Sequence, residues 1–143
     1  MSQVLFHLAF PVTDIAQAKE FYGVRLGCAV GRENDNSVIL NLYGHQLVAH
    51  LSHDPLAPQK GIYPRHFGLI FTAEADWEAL LERSLRHHLD FYVKPKHRFE
   101  GSPLEHRTFF LADPFGNLME FKYYVNPNAV FGELAYTQVG DRV

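Results

Sequence analysis

The sequence contains an internal duplication, and this feature restricts the folds open to the chain more than any other. The stretch RHFGLIFTAEADWEALL can be laid on FHLAFPVTDIAQAKEFY without a gap. This overlay pairs His66 with His7, and it also pairs Thr72 with Thr13. Self-similarity at a fixed spacing indicates one structural unit that is repeated along the chain. We therefore expect two copies of the same supersecondary unit.

Local patterns in the first half give the order of its elements. Residues 4–12, VLFHLAFPV, predict a strand, and Asp14 offers a capping oxygen for the helix that follows. The apolar face of this helix contains Ile15, Ala18 and Tyr22. Three short strands come next, in the segments CAVGRE, SVILNLY and QLVAHLS. The first half is therefore predicted to have the order βαβββ.

The second half repeats this order. Its helix carries Trp77 and Leu80 on one face, and the strands DFYVKP, RTFFLAD and NLMEFKYY follow. We therefore predict an α+β fold of two tandem βαβββ modules within a single domain, residues 1–143. The first module is placed at residues 3–53, the second at 63–125, and a C-terminal extension at 126–143.

Composition excludes several classes of function. The formal net charge is -3, and lysine and arginine form no cluster, which argues against a nucleic-acid-binding surface. No apolar run approaches the roughly 18 residues that span a bilayer. The only cysteine, Cys28, excludes an internal disulfide framework and a cysteine-based zinc site, and it fits a small core residue in a strand. We expect a soluble, cytoplasmic protein whose partner is a small molecule.

The last predicted strand contains a carboxylate in an unusual setting. Glu120 lies between Leu118, Met119 and Phe121. Burying an unpaired carboxylate is costly, so such a group is neutralised or finds a partner. Glu120 therefore lies on a solvent face or binds something cationic.

Two histidines occupy equivalent positions in the two halves. His7 and His66 each lie near the start of a first strand, and the duplication predicts that both imidazoles approach one pseudo-two-fold axis. Together with Glu120 they form a set of two imidazoles and one carboxylate. This is the ligand set of non-heme Fe(II) sites, which leave positions open for substrate and O₂, and it also suits Zn²⁺, Ni²⁺ or Mn²⁺.

These features resemble the vicinal oxygen chelate superfamily, which includes glyoxalase I, fosfomycin-resistance and bleomycin-resistance proteins and extradiol dioxygenases. The resemblance covers about residues 3–125 and depends on the duplicated halves, the histidine that opens each half, and the segment FFLADPFGNLMEF. It implies that His7, His66 and Glu120 are metal ligands and that the strands form a cupped sheet around the metal. In this superfamily the metal chelates two adjacent oxygens of a substrate or intermediate.

Within the superfamily, GHQLVAHLS and DPFGNLMEFKYY look most like small predicted dioxygenases of the extradiol type. This likeness implies Fe(II), a catechol-like substrate, and proton transfer by His50, which lies 16 residues before His66. The same enzymes commonly have a tyrosine ten residues before the metal glutamate, where this chain has Phe110.

Two alternatives stay open. A lyase or isomerase like glyoxalase I would use Ni²⁺ or Zn²⁺, and such enzymes usually take a Glu or Gln ligand from the fourth strand, which here contains Gln46. A metal-free binding protein, as in bleomycin resistance, is the alternative that is not an enzyme.

The resemblance also implies a homodimer, because small members of the superfamily commonly pair their modules across a two-fold axis. Three apolar side chains in the extension also favour burial in a dimer interface: Phe131, Leu134 and Tyr136. His106 and Tyr63 are candidates for supporting roles near the metal.

Overall fold

The chain folds into two βαβββ modules in tandem. The computed structural model describes residues 3–140. The first module consists of β1 (His7–Val12), α1 (Ile15–Lys19), a π-helical segment (Glu20–Arg25), β2 (Ala29–Asn34), β3 (Ser37–Leu42) and β4 (His45–Leu51). The second consists of β5 (Phe67–Phe71), α2 (Glu74–Arg86), β6 (Asp90–Arg98), β7 (His106–Ala112) and β8 (Leu118–Tyr124), and a short 3-10 helix (Pro127–Val130) follows it. None of the helices within residues 3–140 is long and apolar enough to span a membrane.

Each module forms its own four-stranded mixed sheet. The strand orders are β1-β4-β3-β2 and β5-β8-β7-β6, and in each sheet only the first pair, β1 with β4 or β5 with β8, is parallel. This equivalence confirms the predicted α+β fold of tandem modules. The C-terminal extension predicted at 126–143 is described as far as residue 140, and its last three residues lie outside the described range.

The first strand is shorter than the sequence predicts. It begins at His7, three residues later than expected, because the backbone N–H of Phe6 donates to Nδ1 of His45 at 3.1 Å. The predicted cap of α1 is present, since Asp14 Oδ1 accepts from the backbone N–H of Gln17 at 2.8 Å. Because β1 begins at His7, the three residues before it lie outside the sheet with exposed side chains: Val4, Leu5 and Phe6.

One hydrophobic core serves both modules. It contains the apolar sides of the helices and one face of each sheet, with Phe21 and Trp77 among its fully buried members. Trp77 Nε1 donates to the Phe121 carbonyl at 2.8 Å, which fixes α2 across β8. Because strand side chains alternate in direction, the residues between the core members of β8 point to the opposite face of the sheet.

The DPFGN turn between β7 and β8 has a structural role. Asp113 Oδ1 accepts from the backbone N–H groups of Phe115 and Asn117, and its Oδ2 accepts from the buried Tyr22 hydroxyl at 2.6 Å. Gly116 has φ +86°, a left-handed conformation that favours glycine. The turn therefore connects the second sheet to the π-helical segment of the first module and holds the start of β8 in place.

The edges of the two sheets meet with β1 and β5 running in opposite directions. At one end the rings of Phe10 and Phe67 lie 5.7 Å apart, and Asn117 Nδ2 donates to the Pro11 carbonyl. At the other end the rings of Tyr43 and Phe71 lie 5.1 Å apart. The start of β1 is therefore beside the end of β5, and the start of β5 is beside the end of β1.

Candidate metal centre

Glu120 lies on the sheet face that is turned away from the core. Its neighbours in β8, Met119 and Phe121, belong to the core, whereas Glu120 itself is 9% exposed. The Thr108 hydroxyl donates to Glu120 Oε2 at 2.5 Å, and Oε1 lies 3.1 Å from Nε2 of His66. A side chain at Gly68 would collide with the Glu120 backbone, so the glycine allows β5 to pair closely with β8 at this point. The carboxylate is thus buried, oriented and next to an imidazole.

His66 presents a lone pair to this carboxylate. Its Nδ1 lies 2.6 Å from the carbonyl oxygen of Ile62, which can only accept, so Nδ1 carries a proton. In the neutral imidazole Nε2 is then an acceptor, and it faces an acceptor oxygen of Glu120. A second proton on the ring or a cation between the two atoms resolves this conflict. A metal-bound histidine usually donates its other ring N–H to a carbonyl or carboxylate, as His66 does to Ile62.

Two aromatic side chains surround His66. Phe110 meets the imidazole edge-on with ring centroids 5.0 Å apart, and Tyr63 does so at 6.0 Å. They limit the access of water to the ring and fix its plane. This position supports the expectation that Tyr63 lies near the centre, and it gives Phe110 a packing role.

His7 has an imidazole nitrogen of the kind that binds metal ions. It lies at the opposite end of the edge where β1 meets β5. Its Nδ1 is 2.7 Å from Oε1 of Gln46, so Nδ1 donates there and Nε2 keeps a free lone pair on an exposed surface. His66 lies next to the end of β1. That end of the strand is four residues from His7, and at ~3.3 Å per residue this separation is about 13 Å. Among residues 3–140 no group of three His, Cys, Asp or Glu side chains could hold a metal ion.

Within residues 3–140 of one chain, His7 forms no group with His66 and Glu120, and the sharing of one metal ion by these three residues stays a prediction. The reason that His7 forms no such group is the opposite direction of β1 and β5, which puts their starting residues at opposite ends of the contact. The structure brings His66 and Glu120 together and leaves His7 apart from them.

His50 shares a sheet face with His7 but is not beside it. In the parallel pairing of β1 with β4, His7 is opposite Gln46 and Pro11 is opposite His50. His50 is exposed and lies about 13 Å further along the strand direction, at ~3.3 Å per residue. Gln46, rather than His50, is the residue of the fourth strand that contacts a candidate ligand.

The remaining residues singled out in the sequence are His106 and Cys28. His106 is buried, and its Nδ1 lies 2.9 Å from the Leu104 carbonyl oxygen. Burial lowers the pKa of His106; Lys122 lowers it further, while the Leu104 carbonyl and Glu120 act in the opposite direction. Cys28 is a buried core residue just before β2, and burial raises the pKa of its thiol to about 12, so it is not a reactive thiolate.

The lowered pKa of His106 predicts a loss of stability in mild acid. The unfolded chain binds a proton at this ring below about pH 6.5, whereas the native state resists it, so the free energy of unfolding falls as the pH drops through this value. We expect His106→Asn, which keeps a donor for Leu104, to reduce the difference in urea unfolding between pH 7.5 and 5.5. His53→Asn, at an exposed position, is the control and should leave the difference unchanged. An equal pH dependence in wild type and His106→Asn would contradict this prediction.

Thr108, which orients the Glu120 carboxylate, gave little signal in the sequence. Thr108 is a polar residue in the apolar run RTFFLAD, which marks it as unusual. Its partner depends on the β7–β8 register, in which Thr108 is opposite Lys122 and diagonal to Glu120. That register is set by the five-residue turn and not by any pattern within the strand itself.

The fold and the His66–Glu120 contact define a tandem βαβββ protein in which a buried carboxylate lies beside an imidazole. The model of the Glyoxalase/Bleomycin resistance protein/Dioxygenase superfamily matches residues 4–121, so the chain belongs to this family, the vicinal oxygen chelate superfamily. The resemblance inferred from the sequence is thereby confirmed. No curated protein matches the chain.

Solved structures show the same architecture. A glyoxalase/bleomycin resistance protein/dioxygenase from Alicyclobacillus acidocaldarius is 40% identical, with a TM-score of 0.85 over 90% of this chain and 96% of that one. A fosfomycin resistance protein from Listeria monocytogenes is 13% identical, with a TM-score of 0.67 over 90% and 99% of the two chains. A lactoylglutathione lyase from Agrobacterium tumefaciens is 16% identical, with a TM-score of 0.65 over 92% and 98%. The last two similarities show a shared fold alone.

Proposed function

We propose that this protein is a metal-dependent enzyme that acts on a small molecule carrying two adjacent oxygens. The ligands are His66, Glu120 and the partner subunit's His7. The observation that carries the proposal is the contact between His66 Nε2 and Glu120 Oε1, which lie 3.1 Å apart in a partly buried place and would be two facing acceptors in the neutral imidazole. A divalent cation suits this pair, because it accepts both lone pairs and compensates the buried charge.

A second copy of the chain is required to complete this ligand set. His7 presents a free Nε2 on an exposed surface, next to the exposed apolar side chains of Val4, Leu5 and Phe6. Isologous pairing of two chains places the same patch of each copy against its partner, so each of two sites receives one His7. The proposed protein is therefore a homodimer with two shared sites. The exposed Phe131 and Leu134 of the extension also favour burial against another surface.

For the reaction we propose extradiol-type ring cleavage with Fe(II). Two imidazoles and one carboxylate are the donor set of Fe(II) dioxygenases. When bound, the metal would supply Lewis acidity and a place for O₂. The chain's own residues would position the donors: Thr108 orients the carboxylate, the Ile62 carbonyl fixes the His66 tautomer, and Gln46 fixes that of His7. Phe110 and Tyr63 restrict water near His66.

One observation favours a second candidate, an isomerase or lyase that uses Ni²⁺ or Zn²⁺. Gln46 lies on the fourth strand in contact with His7, and the fourth strand is where enzymes like glyoxalase I usually have a glutamate or glutamine ligand. A rotation of the Gln46 amide would offer its oxygen as a further ligand.

Two assays separate these candidates. Protein reconstituted anaerobically with Fe(II) is given catechol, and O₂ uptake is recorded together with the appearance of a yellow ring-cleavage product. Protein loaded with Ni²⁺ or Zn²⁺ is given a hemithioacetal, and isomerisation is followed without O₂. Ring cleavage supports the dioxygenase and isomerisation supports the alternative. Neither activity, with tight binding of an aromatic ligand, would indicate a binding protein instead.

The variant His50→Ala tests the proton transfer that ring cleavage requires. We expect it to bind metal like the wild type, because His50 is too far from His7 along the face to share an ion with it. If His50 moves protons for the substrate, turnover falls by about 10²- to 10⁴-fold. His53→Ala, an exposed histidine outside the sheets, is the matched control. Unchanged turnover in His50→Ala would remove the main reason to prefer ring cleavage.

A further inference from the structure

A cavity lies between the outer face of the second sheet and the C-terminal extension. Its volume is about 320 Å³. His106, Lys122 and Tyr124 form its floor on β7 and β8, and residues 129–140 form its roof. The extension continues past the cavity as far as Tyr63, since a side chain at Gly140 would strike the Tyr63 hydroxyl. The roof thus joins the cavity to the loop that carries His66.

Three polar groups line the walls among the described residues: a cation over an aromatic ring, a buried oxygen without a hydrogen-bond partner, and a ring nitrogen. Lys122 Nζ lies 5.0 Å from the centroid of the Tyr124 ring, and within residues 3–140 it has no carboxylate in ion-pair distance. Gln138 Oε1 is buried without a hydrogen-bond partner. Nδ1 of His106 donates to the Leu104 carbonyl, which leaves Nε2 as an acceptor. Of these three groups Lys122 is the one that attracts an anion, and the two acceptors suit a hydrogen-bond donor.

An acidic side chain also reaches the cavity wall, but it has a partner. Glu133 Oε2 accepts a hydrogen bond from Nδ2 of Asn126 at 3.0 Å, which holds the carboxylate away from Lys122. Within residues 3–140, the positive charge of Lys122 consequently has no ion-pair partner.

The cavity is continuous with the face that carries the candidate metal ligands. Glu120, Lys122 and Tyr124 alternate along β8 and point to the same face, with Thr108 opposite Lys122 and His106 opposite Tyr124. At ~3.3 Å per residue, the Cα atoms of Glu120 and Lys122 are about 7 Å apart. The Lys122 ammonium is directed away from Glu120, toward Tyr124.

We propose that this cavity binds the anionic end of the substrate, with Lys122 as the counter-charge of a carboxylate. The proposal deepens the proposed function and rests on it for the position of the two adjacent oxygens. A matching substrate has its oxygen pair at one end and a carboxylate at the other. Such a carboxylate would accept a charge-assisted hydrogen bond from the Lys122 ammonium.

The test uses metal-free protein and two probes that lack adjacent oxygens. Affinities for 4-hydroxyphenylacetate and for 4-methylphenol are measured by calorimetry with wild type, Lys122→Met, Lys122→Arg and the control Lys94→Met. We expect wild type and the control to prefer the acid by about 10- to 100-fold. Lys122→Met should lose this preference, and Lys122→Arg should keep most of it. Equal affinity for the two probes, binding of neither, or a preference that persists in Lys122→Met would overturn the proposal.

A second arm separates this proposal from the proposed function. Fe(II)-loaded protein is assayed for turnover of 3,4-dihydroxyphenylacetate and 4-methylcatechol, which differ in the carboxylate but share the ring diol. A preference for the acid in the metal-free arm without turnover in the loaded arm supports the cavity and rejects the reaction. Turnover of both catechols at equal kcat/KM, without a preference in the metal-free arm, supports the reaction and rejects the cavity.

Discussion

Glu120→Gln is expected to remove metal binding and turnover together. The amide keeps the shape of the side chain but removes the only negative charge of the proposed ligand set. Groups that only hydrogen-bond to a metal ligand already contribute about 10- to 100-fold in metal affinity. The loss of a charged ligand should therefore weaken metal binding by more than about 10²-fold. Metal content after dialysis and turnover at saturating metal are the two measurements.

The matched control for this variant is Glu82→Gln. Glu82 is an exposed residue of α2 whose nearest cation, Arg86, is 3.7 Å away, so its replacement should change neither quantity. Thr108→Val provides an intermediate case, because it removes the hydrogen bond to Glu120 Oε2 and should weaken metal binding by about 10- to 100-fold. If Glu120→Gln retained its metal, the carboxylate would not be a ligand and the proposed centre would be wrong.

The parts of the fold that depend on local pattern could be predicted from the sequence. The gapless overlay of the two halves predicted the tandem modules, and the apolar neighbours of Glu120 marked a carboxylate that either faces solvent or has a cationic partner. His66 meets that carboxylate as expected, because both belong to one module whose β5–β8 pairing is parallel.

What could not be predicted depends on contacts between distant segments. The direction of β1 relative to β5 is set by side chains such as Phe10 and Phe67 at the meeting edges, and no periodicity within either half encodes it. For the same reason the sequence placed His7 near His66 and gave no sign that Gln46, not His50, contacts His7. The extension has no regular pattern either, so the sequence could indicate that it packs but not that it roofs a cavity.

The central claim, a metal ion shared between two copies, predicts complementation between two inactive variants. His7→Ala and Glu120→Gln each damage every site of their own homodimer. In a heterodimer of the two, one site combines both lesions, and the other receives intact His7 from one copy and intact His66 and Glu120 from the other. Two different affinity tags allow the heterodimer to be isolated after co-expression.

The decisive measurement is the metal content of this purified heterodimer. The account predicts two ions per wild-type dimer, none in either variant homodimer, and about one ion per heterodimer, with turnover near half of the wild-type value. A site formed within a single chain would leave every site of the heterodimer damaged. A heterodimer without metal, or a chain that remains monomeric and forms no heterodimer, would contradict the shared centre.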